Sequence, residues 1–178
     1  MTAEELKALI RTVPDFPQPG IQYRDITTLI GHGAGLAATV DQLAARAMAV
    51  GAQAIAGMEA RGFIFGAAVA VQLGIGFIPM RKPGKLPIQT IGIDYALEYG
   101  SDRLEMDPTS VHPDHTVVIV DDLIATGGTA QAAAQLLRMA GARVENALFV
   151  IDLPDLGGGA ALRSAGVAVE AIMEFEGD

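Results

Sequence analysis

An α/β fold is predicted, with a mostly parallel, twisted sheet flanked by helices and all of residues 1–178 in a single domain. Three observations predict it. Short apolar runs alternate with helix-like segments along the chain, the pattern of βαβ units. The run Val117 to Val120 is β-branched with no polar break, as expected of a strand buried on both faces of a parallel sheet. Hydrophobic residues make up 51% of the sequence and mean hydropathy is +0.36, which suits a large buried core and not a disordered chain.

The elements follow from local signals. Thr2 and Glu5 form a capping box that opens a helix through about Ile10. Val13 to Gly20 holds three prolines and a glycine in eight residues and is read as irregular. Ile21 to Ile26 is a short strand and Leu36 to Val50 an alanine-rich helix. Gln53 to Met58 is a strand, followed after Arg61-Gly62 by an apolar helix to Leu73, and Phe77 to Met80 is the next strand. The stretch 82–105 reads as a long excursion with some strand character around Ile93 to Tyr99. Thr116 to Val120 is a strand, Gln131 to Met139 a helix stopped near Gly141, and Val144 to Ile151 a strand. Gly157 to Ala165 is a weak helix and Val167 to Ile172 the last strand; no chemistry is assigned to Gly157-Gly158-Gly159.

Composition excludes several classes. With 0 Cys, neither disulfides nor thiolate metal sites are available. A net charge of −9 argues against nucleic acid as a partner. The longest apolar run, around Phe63 to Val71, is too short to cross a bilayer, so no membrane partner is expected. The acidic start, Met1 to Glu5, lacks a signal-type apolar stretch, and a cytoplasmic location is expected.

The densest signal runs from Val117 to Thr129. It places a buried strand, Asp121 and Asp122, the turn Ala125-Thr126-Gly127-Gly128-Thr129 and a helix start in immediate succession. Such a turn brings backbone N–H groups and two hydroxyls onto one anion, with the positive end of a helix behind it. No lysine follows the glycines, so it is not a Walker A loop. Carboxylates accept hydrogen bonds from hydroxyls and repel bare phosphate, so an acid pair before a phosphate cradle suits a phosphate joined to a diol or a metal. A ribose 5-phosphate meets that description. The chain also answers the charge problem of an anionic ligand locally. From Ala60 to Ile93 there is no acid, where about four would be expected, while Arg61, Arg81, Lys82 and Lys85 all lie there.

The cradle resembles the phosphoribosyl-pyrophosphate loop of type I phosphoribosyltransferases. The resemblance extends to Pro19-Gly20-Ile21-Gln22-Tyr23-Arg24-Asp25-Ile26, Glu59-Ala60-Arg61-Gly62-Phe63, Arg81-Lys82-Pro83-Gly84-Lys85-Leu86-Pro87, Leu97-Glu98-Tyr99-Gly100 and Leu153 to Gly158. These stand in the order and at about the spacing of the adenine phosphoribosyltransferase family. It implies the type I phosphoribosyltransferase fold, with a small hood formed by about 13–30 and 82–105. It implies conversion of adenine and phosphoribosyl pyrophosphate to AMP and pyrophosphate, a purine salvage step, with Mg2+ carried on the substrate near Asp121 and Asp122. A homodimer is implied as well.

The resemblance also implies residue roles. Asp121 and Asp122 would hold the ribose hydroxyls, and Ala125 to Thr129 the 5-phosphate. Arg61, with Glu59 and Ala60 as its loop, would meet pyrophosphate, as would the cations Arg81, Lys82 and Lys85. Glu98 would be the catalytic residue, exchanging a proton with the purine near N7, with Tyr99 shielding the site. Tyr23 would stack on adenine and the backbone of Gln22 pair with its N1 and N6 edge. Arg24 is grouped with them on this substrate-binding strand, although it and Asp25 are read as tying strand to loop.

Enzymes for 6-oxo purines resemble this fold but place a lysine after the cradle helix, whereas Val144 to Leu162 holds no Lys or Arg. His32, His112 and His115 are read as surface residues. Two other functions stay open: transfer to another purine base, and a non-catalytic phosphoribosyl-pyrophosphate sensor. The sensor would need a basic nucleic-acid-binding region that the sequence does not show.

Overall fold

The computed structural model describes residues 1–96 and 100–177. The capping box is formed: Thr2 Oγ1 accepts from the Glu5 N–H at 3.2 Å and Glu5 Oε2 from the Thr2 N–H at 2.7 Å. It opens α1 (Ala3–Lys7), which ends before Ile10 because the chain turns into β1 (Arg11–Pro14). This strand corrects the reading of Val13 onward as irregular. β1 pairs antiparallel with β2 (Gln22–Asp25), Val13 opposite Tyr23, and a proline fits the end of an edge strand. A short helix unanticipated from sequence, α2 (Thr27–Ile30), precedes α3 (Gly33–Ala49). The latter starts earlier than expected because His32, exposed as anticipated, accepts the Gly35 N–H on Nδ1 at 3.0 Å and caps it.

β3 (Ala54–Met58) leads into α4 (Arg61–Leu73) and β4 (Gly76–Met80). The excursion that follows is a hairpin: β5 (Ile91–Ala96) pairs antiparallel with β6 (Ser101–Met106). A two-residue period made this possible. Leu104 and Met106 are fully buried from one strand, and Ile91, Ile93 and Tyr95 pack on the same core from the other. Burying a side chain such as Leu104 or Met106 stabilises by about 1.5–3 kcal/mol, which anchors the excursion to the domain. A backbone bridge between Arg81 and Glu105 ties the hairpin to the end of β4.

The chain closes with β7 (Thr116–Ile124), α5 (Gly128–Met139), β8 (Arg143–Asp152), α6 (Gly158–Ser164) and β9 (Ala168–Glu174). The main sheet has the order β4-β3-β7-β8-β9, and every pairing in it is parallel, as predicted. Its residues alternate between two cores. Val117 and Ile119 face the core under α5 and the hairpin, while Val118 and Val120 face the core with Leu43, Phe65 and Val69 of α3 and α4. The chain leaves β3 to one side for β4 and returns on the other for β7. A crevice therefore opens between the carboxyl ends of β3 and β7, where the strand order reverses.

Candidate active site

Two elements meet at that crevice. β7 runs four residues further than predicted, so Asp121 and Asp122 lie within the strand and Ile124 ends it. Gly127 then adopts a left-handed conformation, φ 82°, as the N-cap of α5, which begins at Gly128 and not at Gln131. No side chain caps this helix, and its first backbone bond is from the Gln131 N–H to the Gly127 carbonyl. The N–H groups of Gly128, Thr129 and Ala130 thus have no partner within the helix and carry its positive end. They border a cavity of about 360 Å³ shared with Ala60, Arg61, Lys82, Asp121 and Asp122.

The cradle has a floor that the sequence reading left without a role. The Gly158 N–H donates to the Ala125 carbonyl at 2.9 Å, and a Cβ on Gly158 would stand 2.2 Å from that oxygen. The turn and the start of α6 are in direct contact, and only glycine permits it. Gly62 plays a similar part, since its Cβ would come within 2.6 Å of Asp121 Oδ1.

The acids differ in surroundings. Asp122 is buried and ion-paired with the Arg61 guanidinium, which spans the crevice from the start of α4. Burial raises the Asp121 carboxyl well above the usual aspartate range, and the neighbouring Asp122 charge adds to it. For Arg61 burial opposes the charge, but the Asp122 carboxylate outweighs it and holds the guanidinium protonated. Arg61 Nη1 also reaches the Tyr23 hydroxyl at 3.4 Å. Asp122 thus links the cradle strand to the arginine turn and the β1–β2 hairpin.

Glu59 organises the other wall. It accepts from Arg81 Nε at 2.7 Å and from the Lys82 N–H at 2.9 Å. Burial works to raise its carboxyl, but these two donors prevail and leave it below the ordinary glutamate range. The Lys82 ammonium pairs with Asp102, which also accepts from the Tyr95 hydroxyl at 3.2 Å.

The structure therefore brings together Glu59, Ala60, Arg61, Lys82, Asp121, Asp122 and Ala125 to Thr129 on one cavity. Gln22, Tyr23 and Arg24 do not line it. Arg24 is engaged elsewhere, donating to Thr12 Oγ1 at 2.8 Å and to the Glu176 carbonyl at 3.0 Å, with its guanidinium 4.7 Å from the Phe175 ring centre. Arg81 turns to Glu59 and Lys85 is exposed, so Lys82 alone of that basic run lines the cavity. Glu98 and Tyr99 lie outside the described residues. Sequence reasoning missed Gly62, Tyr95, Asp102 and Gly158. The triple glycine was the one visible signal, whereas Asp102 looked like any surface acid.

An α/β domain that binds a phosphorylated ligand is the class that this arrangement defines: a doubly covered parallel sheet with an anion cradle and acids at its switch point. Residues 22–157 match the model of the phosphoribosyl transferase domain. The chain is 71% identical over 177 residues to the adenine phosphoribosyltransferase of Novosphingobium aromaticivorans, covering 99% of each. The crystal structure of the adenine phosphoribosyltransferase of Thermoanaerobacter pseudethanolicus superposes with a TM-score of 0.92 at 42% identity, over 98% of this chain and 100% of that one. The Saccharomyces cerevisiae enzyme, solved with adenine and an iminoaltritol bisphosphate, gives 0.90 at 34% identity over 96% of this chain and 98% of that one. This chain belongs to the adenine phosphoribosyltransferase family.

Proposed function

We propose that the cavity at the β3–β7 crevice converts adenine and phosphoribosyl pyrophosphate into AMP and pyrophosphate. One observation carries the reading: the free amides of the cradle and the paired acids Asp121 and Asp122 border the same cavity as Arg61. The 5-phosphate binds at Ala125 to Thr129, each charged hydrogen bond contributing about 1.5–3 kcal/mol. Asp121 and Asp122 accept from the ribose hydroxyls. Arg61 and Lys82 meet the pyrophosphate, which leaves C1 with more charge than it carried as an ester. Arg81 and Glu59 fix the wall from which Lys82 projects, and Lys85 lies further out on the same loop.

Mg2+ fits this donor set as a passenger of the substrate. Among the described residues no three His, Asp or Glu side chains converge, and Asp122 is already tied to Arg61. Pyrophosphate and ribose oxygens would supply most ligands, with Asp121 and Asp122 beside the sugar. When bound, the ion offsets the charge of the pyrophosphate.

Glu98 serves as general base to adenine, and as general acid in the reverse direction, with Tyr99 excluding water. Gln22 and Tyr23 receive adenine, and Arg24 supports them by tying β2 to β1 and to Glu176. Segments 13–30 and 82–105 form the hood of a single domain. The enzyme acts in the cytoplasm as a homodimer, without nucleic acid or membrane. Exposed Met48 on α3 and Ile64 and Val71 on α4 are apolar residues that a second copy would cover.

The test is a nucleobase panel. With magnesium and phosphoribosyl pyrophosphate, adenine is expected to yield AMP, while hypoxanthine and guanine yield no nucleotide. Comparable turnover of guanine would overturn the base assignment. Glu98→Gln is expected to cut turnover by about 100-fold while leaving phosphoribosyl-pyrophosphate affinity nearly intact. Unchanged turnover in steady-state kinetics removes Glu98 from the mechanism.

A further inference from the structure

Lys82 has a partner that the reaction does not require. Its ammonium pairs with Asp102, a residue of β6 that does not line the cavity, while Lys82 and Tyr95 do. The hairpin register sets Tyr95 opposite Asp102, and the hydroxyl of the first donates to Oδ2 of the second at 3.2 Å. Oδ1 of Asp102 accepts the Arg103 N–H at 2.8 Å. Both carboxylate oxygens therefore keep a hydrogen bond when Lys82 is elsewhere, and no acceptor is stranded by its departure. The backbone of Lys82 is pinned by its N–H bond to Glu59 at 2.9 Å, so the movable part is the four-carbon stem and its charge.

We propose that Asp102 is a positioning residue that competes with pyrophosphate for the Lys82 ammonium, and so sets how tightly the pyrophosphoryl group is held. The inference rests on the assignment of Lys82 to pyrophosphate. A fixed carboxylate gives Lys82 a second resting place. Binding a pyrophosphoryl group then means exchanging one anion for another, not gaining a contact outright. The same exchange in reverse helps product pyrophosphate leave. The partial exposure of both side chains keeps the competing pair weak enough to break.

Steady-state kinetics in both directions test this. Asp102→Asn, which keeps the shape and removes the charge, is expected to lower KM for phosphoribosyl pyrophosphate and for pyrophosphate about two- to fivefold, with KM for adenine unchanged. Asp102→Glu restores the charge and is expected to return both values toward the parent's. Lys82→Met is expected to raise KM for pyrophosphate, and adding Asp102→Asn to it should change nothing further. If Lys82→Met raises that KM but Asp102→Asn leaves it level or higher, the competition is refuted and the role of Lys82 stands. If Lys82→Met leaves it at the parental value, Lys82 is no pyrophosphate ligand and the competition falls with it.

Discussion

Gly158→Ala is expected to weaken the binding of ribose 5-phosphate by about 100-fold while leaving a folded protein. The new methyl carbon would stand 2.2 Å from the Ala125 carbonyl oxygen, 2.6 Å from the Gly127 nitrogen and 2.7 Å from the Thr126 carbonyl carbon. All three are backbone atoms of the phosphate cradle, so no rotamer relieves the overlap and the turn itself must move. A displacement on the order of 1 Å in a group that positions substrate costs about 100-fold in rate. The damage falls on the amides that hold the phosphate, because the Ala125 carbonyl also loses its 2.9 Å bond from Gly158. Gly159→Ala is the contrasting case. Its Cβ would meet Arg163 Nη1 and Asp152 Oδ2, both at 3.2 Å and both side-chain ends that can give way. Calorimetry with ribose 5-phosphate and thermal unfolding of both variants separate the effects. Parental affinity in Gly158→Ala would show that α6 does not shape the cradle.

The paired substitution Asp121→Asn with Asp122→Asn should weaken ribose 5-phosphate binding by about tenfold or more for each acid that accepts from a hydroxyl, a charged hydrogen bond being worth about 1.5–3 kcal/mol. Its effect on stability runs the other way. The Asp121 carboxyl is raised in the folded protein, by burial first and by Asp122 second, so the folded state binds its proton more tightly than the unfolded chain does. Stability from this group is fully present below the ordinary aspartate range and is lost as pH climbs toward the raised folded value. At neutral pH Asp121 is therefore a cost. Asp121→Asn alone is expected to raise the thermal midpoint at pH 7, by about 2–4 °C for each kcal/mol relieved, and to give no gain at pH 3. Asp122→Asn takes the anion from Arg61, but half-exposed Arg61 can turn to water, so little stability is lost. Unaltered calorimetric affinity in the double variant removes the acids from the diol role, and an unaltered midpoint in Asp121→Asn removes the strain.

Much of the sheet was legible because its signals are short-range. A β-branched run such as Val117 to Val120 needs no distant partner to declare itself buried on both faces, and a capping box such as Thr2 with Glu5 lies within one turn. Where distant pairing decides the outcome, the reading went astray. Arg11 to Pro14 is a strand because Gln22 to Asp25 lies beside it, against the local warning of its proline. In the 82–105 excursion the strand character expected around Ile93 is present in β5, but its partner Ser101–Met106 was not anticipated, since it forms because Leu104 and Met106 find a core to enter. The boundaries around the cradle shifted for a related reason. Gly128, which read as loop, was admitted to α5 once Gly127 could take a left-handed conformation against Gly158.

By itself the sequence determined the local chemistry: a strand, two carboxylates, a glycine turn and a helix in continuous order, and the family that this order resembles. Those features are contiguous, so their relative placement follows from backbone geometry alone. Only the tertiary structure decided that Asp122 faces Arg61 across the β3–β7 crevice, that Gly158 forms the floor of the phosphate cradle, and that Asp102 holds the ammonium of Lys82. Each of these joins separate segments of the chain. Sheet order, hairpin register and the close approach of two backbones fix such contacts, and none of the three is written in the residues on either side.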